Sequence, residues 1–311
     1  MAADYIVTPH NMAEISPYVT VDRKQIVTEL LYRQHCYFYD TCSFRFHSNL
    51  HPVEAEYLLT YVKLQNGAIV LTRCILMELA SDSGMLNQEY IAYIRHIKES
   101  GIPVLLLYEE DIFSVMDVAF STCAAINSYL CWAVRNIKGS VSTIIHTLEQ
   151  NSSLYDTVIR GKNLNNTGVY RRFFEAVRGH KEPGDNLGEE LLAVCLHILS
   201  NLPGEEDGKF SIITDDKEAA GKIDTLFKNT AKQHRGKKIG IYSTPKLVQI
   251  LYRQGILDNT DHIKAILRAG TNGNIGLLGM KSYDLRAAAI SITCDELTAL
   301  IMQPNGIHIV F

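Results

Sequence analysis

No two of the seven cysteines (36, 42, 74, 123, 131, 195 and 294) form a CxxC pair, and their number is odd. That argues against a disulfide framework or a thiolate zinc site and fits a reducing cytoplasm. An excess of positive charge is also lacking: 30 Lys and Arg stand against 34 Asp and Glu, a formal net charge of -4. Any nucleic-acid binding must therefore rest on local patches. Residues 1–18, MAADYIVTPHNMAEISPY, carry acids where a secretory signal needs a basic and then an apolar region. Walker A, GxSxG and HExxH motifs are absent. His35-Cys36 has Cys42 where an HCx5R phosphatase loop needs arginine, and Asp40-Thr41-Cys42 lacks the second aspartate of a haloacid dehalogenase DxD motif. His47 and His51 are four apart, but Pro52 follows them, so a zinc pair is not expected.

One apolar run, Ile112 to Val134, has the length of about 20 residues that spans a bilayer. It contains Asp117, which would cost roughly 2.5–3.5 kcal/mol at a membrane centre. The run reads as a buried helix or one at a partner interface, with no membrane contact.

With 47% hydrophobic and 21% charged residues, the chain has ample material for a core. Short apolar runs at Cys36–Tyr39, Ala68–Leu71, Ile102–Tyr108, Phe210–Thr214 and Ile239–Tyr242 read as strands. Helical patterns lie between them: 21–34, 53–64, 72–80, 87–99, 112–134, 139–150, 188–199, 217–227 and 245–254. This alternation predicts an α/β fold, a central and mostly parallel sheet of four or five strands flanked by helices. Residues 1–21 read as irregular; residues 151–187 are polar and rich in Asn, Gly and Arg, and the insertion they largely belong to is expected to be helical. In the C-terminal part, AGTNGNIGLLG reads as a loop, followed by helical pieces at 284–290 and 294–302. The glycines of GNIGLLG follow no predicted strand and open no helix, which speaks against a dinucleotide site.

The stretch Cys36–Phe46, CYFYDTCSFRF, ends an apolar strand in one carboxylate, Asp40. Ligands of open α/β sheets bind at the carboxyl ends of the strands. Three further acids fall at related places: Glu78 after the second strand, Glu189 or Glu190 opening a late helix, and Asp215-Asp216 after FSIIT. Each alone has a plainer explanation, as a helix cap, a dipole partner or a surface residue. Gathered at one sheet edge, they would repel one another unless a divalent cation lay between them. Oxygen ligands without His or Cys suit Mg2+ or Mn2+.

The ordered set resembles the PIN-domain nucleases. The resemblance rests on YDTCS (Asp40), LTRCILMELAS (Glu78), LGEELLAVCL (Glu189) and IITDDKEA (Asp216), followed by IYSTPKLVQILYRQGIL as a final strand and helix. It covers about residues 36–255, with an insertion at about 109–180, an N-terminal extension of 1–35 and a C-terminal extension of 256–311. The sequence departs from the pattern in its doublets. Glu189-Glu190 stands for an isolated acid, and Asp215 shares or replaces the metal role of Asp216. The resemblance implies a PIN-like domain whose carboxylates hold Mg2+ or Mn2+ and hydrolyse phosphodiester bonds, most often in RNA.

Two basic stretches suit single-stranded RNA. Residues 160–181 carry Arg171, Arg172, Arg178 and Lys181 beside Tyr170, Phe173 and Phe174, and residues 228–238 carry Lys232, Arg235, Lys237 and Lys238. The expected function is a cytoplasmic, metal-dependent endoribonuclease. Its alternatives are a non-catalytic scaffold binding RNA or protein, and a toxin held by an inhibitory partner that docks on 112–134. Self-association is left open.

Overall fold

The computed structural model describes residues 5–137, 142–230, 236–271, 273–282 and 284–311. Two helices, α1 (Met12–Ile15) and α2 (Arg23–Tyr32), precede β1 (His35–Tyr39). Then come α3 (Thr41–Ser48), α4 (Pro52–Leu64), β2 (Gly67–Thr72), α5 (Arg73–Leu79), α6 (Gln88–Glu99) and β3 (Val104–Leu107). The insertion holds α7 (Ile112–Ala119), α8 (Cys123–Asn136), α9 (Thr143–Gln150), α10 (Ser152–Val158) and α11 (Val169–Arg178). It leads into α12 (Leu187–Leu199), β4 (Phe210–Ile213), α13 (Lys217–Thr230), β5 (Gly240–Tyr242) and α14 (Thr244–Arg253). The C-terminal part is α15 (Thr260–Arg268), β6 (Ile275–Lys281), β7 (Ala288–Ile292), α16 (Cys294–Met302) and β8 (Ile307–Ile309).

The five predicted strands form one parallel sheet in the order β3-β2-β1-β4-β5. Strands β1 to β4 are almost wholly buried because helices cover both faces, which is why their sequences are continuous apolar runs rather than alternating ones. The chain builds outward from β1 through β2 to β3, then returns to add β4 and β5 on the other side. The direction of growth thus reverses between β1 and β4, and the crevice at such a point is where ligands of these sheets bind. The outer edge of β3 is covered by Thr20, whose N–H reaches Val104 O at 2.8 Å and whose carbonyl accepts from Leu106 N at 3.0 Å.

The apolar run 112–134 is two helices rather than one. Phe120 and Thr122 are extended, and the Thr122 hydroxyl accepts from Ala125 N at 3.2 Å, so a threonine cap restarts the helix where one continuous helix was expected. Most apolar side chains of α7 and α8 are buried or half-buried against the core, with Val118 the large exposed exception. They do not supply the free face that an inhibitory partner needs. Among the described residues no helix is long and apolar enough to cross a membrane.

The insertion is helical as expected, and two stretches to which no individual helix was assigned contain helices. Within 151–187 lie α10 and α11, the latter burying Val169, Tyr170, Phe173, Phe174 and Val177 at helical spacing. Residues 12–15 of the N-terminal stretch form the short α1. The C-terminal part carries an antiparallel sheet, order β7-β6-β8, in place of the expected loop and first helix. In β6, Ile275, Leu277 and Gly279 face inward while Gly276 and Leu278 face out, a strand period that overrides the glycines. Residues 288–290, alanine-rich and expected to be helical, pair with β6 instead, since tertiary context outweighs propensity.

Candidate active site

Asp40 follows β1 directly and caps α3. Its Oδ1 accepts from Thr41 N at 2.8 Å; its Oδ2 accepts from Thr214 Oγ1 and from Cys42 Sγ, each at 2.9 Å. Thr214 follows β4, the strand beside β1, so the two adjacent strand ends are tied through this carboxylate. Burial raises the Asp40 pKa, the three donors oppose that, and the nearby charge of Asp216 adds to the rise. Burial also pushes the Cys42 thiol up, so Cys42 serves Asp40 as a protonated donor.

Glu78 reaches the same place from α5. Its Oε2 accepts from Thr41 Oγ1, and Lys181 Nζ lies 3.1 Å from Oε1. The carboxylate packs on Gly188 in the first turn of α12, where a Cβ would lie 2.5 Å from Glu78 Oε1. A larger residue there would push the end of the Glu78 side chain aside. Burial raises the Glu78 pKa, Lys181 and Thr41 lower it, and Asp40 raises it again.

The Glu189-Glu190 doublet separates by helix geometry, since consecutive residues point about 100° apart. Glu189 faces the cleft and pairs with Lys222 of α13. Its pKa is raised by burial and then, against the pull of Lys222, by Asp216 and Asp40. Glu190 turns inward, where its Oε2 accepts from Ile144 N at 3.1 Å and steadies the start of α9.

The Asp215-Asp216 doublet, in the link between β4 and α13, also separates. Asp216 lines the cleft while its Oδ1 caps α13, accepting from Glu218 N at 2.7 Å. Asp215, expected to share the metal role, does not line this cleft but the hollow beside it. Its oxygens accept from Ser43 Oγ at 2.7 Å, Thr244 N at 2.7 Å and Thr244 Oγ1 at 2.6 Å, which commits it to joining α3 and α14.

Thus Asp40, Glu78, Glu189 and Asp216 line one cleft of about 240 Å³, together with Arg45, Lys181 and Asp185. Among the described residues, no three carboxylate, His or Cys side chains already stand at metal-ligating spacing. Glu78 and Glu189 are in ion pairs with Lys181 and Lys222. Burial works against the Lys181 ammonium, yet Glu78 and Asp185 outweigh it and hold its pKa above the ordinary lysine range. In chemistry the donor set fits Mg2+ or Mn2+: four hard oxygen donors, mutually repelling, at one mouth. Sequence patterns missed Lys222, Asp185 and Arg45. Thr41 and Thr214 were in view as the residues beside Asp40 and before the aspartate doublet.

The expected RNA-binding residues do not gather here. Arg171 pairs with Glu175 at 2.8 Å on the exposed face of α11; neither it nor the exposed Arg172 lines the cleft. Tyr170, Phe173 and Phe174 are core residues, and Arg178 is buried between Glu109 and Glu110. Lys237 and Lys238 are at the wrong edge of the sheet. Lys237 N bonds to Ser200 O and Gly208 N to Lys238 O, each at 2.8 Å, beside the start of β4. The acids follow its end, on the order of 15–20 Å away along the strand. Lys232 and Arg235 lie outside the described residues. His47 and His51 share no metal site: His47 is buried between Tyr39 and Thr244, and His51 is at the start of α4.

No family model, no curated protein and no solved structure matches the chain.

Proposed function

We propose that the chain is a metal-dependent endoribonuclease of PIN type that hydrolyses phosphodiester bonds in single-stranded RNA. The observation that carries this reading is the convergence of Asp40, Glu78, Glu189 and Asp216, from four separate elements, on one cleft beside the reversal in strand order. These four would hold Mg2+ or Mn2+. When bound, such an ion supplies Lewis-acid stabilisation of phosphoryl charge and acidifies water. Asp40, fixed by three donors, keeps its place without rearrangement. Lys181 and Lys222 compensate the acids before a cation arrives. Once displaced from Glu78 and Glu189, their ammonium groups are free to meet backbone phosphates. The free state of all seven cysteines supports a reducing, cytoplasmic setting.

The test is cleavage of a labelled single-stranded RNA by purified protein in Mn2+, Mg2+ or EDTA. Cutting with a divalent cation and none with EDTA is expected; equal cutting in EDTA contradicts the metal role.

The two lysine ion pairs favour a second reading, a scaffold that has kept the fold and binds RNA or protein without catalysis. The melting temperature separates the two, because an ion bound only by the native state must stabilise it. A rise of several degrees with millimolar Mn2+ belongs to the nuclease; no rise, together with no cutting, belongs to the scaffold.

A further inference from the structure

Past Cys42 and Asp216 the acidic cleft continues into a larger hollow of about 480 Å³, which shares those two residues with it. This volume lies in the range of small-molecule sites, about 300–1,000 Å³. Its walls come from two parts of the fold. The sheet domain gives Phe46 of α3, Lys217, Pro245 and Asp215, whose oxygens are taken up by Ser43 and Thr244; the C-terminal part gives Leu267, Asn274 and Gly276.

Three features bear on what it takes. Lys217 is exposed and, unlike Lys181 and Lys222, has no ion-pair partner among the described residues. It sits next to Asp216, and its ammonium rests on β6 at Gly276, where any Cβ would collide with it. Phe46, half-buried with its ring against Gly270, gives the hollow an aromatic wall backed by the buried Leu267 and Pro245, and Asn274 adds an exposed amide. A group that is anionic at one end and planar and apolar at the other matches these walls.

We propose that the hollow is a nucleotide subsite, holding the nucleoside monophosphate unit next to the phosphodiester addressed by the acids. Lys217 meets its phosphate and Phe46 packs on its base. The place of this unit in a reaction rests on the nuclease reading, whereas its binding does not.

Binding is measured by calorimetry on the full chain in EDTA, with the four ribonucleoside 5′-monophosphates, ribose 5-phosphate and a trinucleotide. At least one mononucleotide is expected to bind about tenfold more tightly than ribose 5-phosphate, which lacks the ring. Lys217→Gln is expected to weaken the mononucleotide about tenfold. As an exposed position it should leave the melting temperature unchanged. Phe46→Ala should abolish the preference over ribose 5-phosphate. The proposal is overturned if no mononucleotide binds or if Lys217→Gln binds like wild type. A trinucleotide that binds no more tightly than the mononucleotide overturns the assignment to an RNA strand. Mononucleotide binding through Lys217 without RNA cleavage leaves the subsite standing and removes the nuclease reading; cleavage without mononucleotide binding does the reverse.

Discussion

His47 is held from both ring nitrogens, and the direction of each bond follows from its neighbours. Thr244 Oγ1 donates to Asp215, so it accepts from His47 Nε2–H at 2.8 Å; Nδ1 therefore accepts from Tyr39 OH at 2.8 Å. Tyr93 OH, 3.0 Å from Tyr39 OH, is the donor at the far end. Burial pushes the His47 pKa down to about 4, against the pull of Asp215. The unfolded chain takes up this proton near 6.5, the native state only near 4. Stability is therefore full above 6.5 and is lost as the pH falls toward 4. At about 1.4 kcal/mol per pH unit the loss is on the order of 3 kcal/mol. Urea melts of wild type and His47→Gln between pH 7 and 4 check this: the variant should lack that share of the acid sensitivity. Gly188→Ala is the second test at this scale. Helix propensity alone favours alanine by up to about 1 kcal/mol. The clash with Glu78 points the other way, so cleavage and Mn2+ stabilisation should both fall. Wild-type behaviour of Gly188→Ala would show that Glu78 need not stand where it does. Asp40, Glu78 and Asp216 were legible because each follows a strand in a recognisable pattern. The choice between Glu189 and Glu190 was not legible, since it depends on Lys222 and Ile144, partners distant in sequence.

At the scale of elements, α14 joins the two sheets. Gln249 is buried; its amide donates to Ile307 O at 2.8 Å and accepts from Ile309 N at 3.0 Å, covering the outer edge of β8. Gln249→Leu leaves a buried N–H unpaired and weakens the satisfaction of Ile307 O, which Arg253 also reaches at 3.0 Å. A loss of about 2 kcal/mol is expected, read as a lower urea midpoint; an unchanged midpoint would mean that the contact is dispensable. The five strands of the parallel sheet were legible because short apolar runs alternating with helical patterns leave few alternatives. The small sheet β7-β6-β8 was not, because its short glycine- and alanine-rich strands resemble loop and helix until they are paired. Helix α11 was not legible for a different reason: its apolar stripe is interleaved with the charges of Arg171, Arg172, Glu175 and Arg178.

For the whole molecule, the decisive feature is the reversal of strand order between β1 and β4, which sets Asp40 beside Thr214 and Asp216. Chain order alone does not give spatial order, so the sequence supported convergence of the acids only as an expectation. It also expected cations at Lys237 and Lys238, whereas the fold sends these to the opposite end of the strands, leaves Lys181 in the cleft and Lys217 in the adjoining hollow, and pairs Lys222 with Glu189. The most direct measurement is single-turnover cleavage of one labelled single-stranded RNA in Mn2+ by wild type, Asp40→Asn and Glu189→Gln, with folding checked by circular dichroism. The account predicts that both folded variants lose at least about a hundredfold in rate, since each removes a charge from the cation site. Folded variants that cut at the wild-type rate would contradict it.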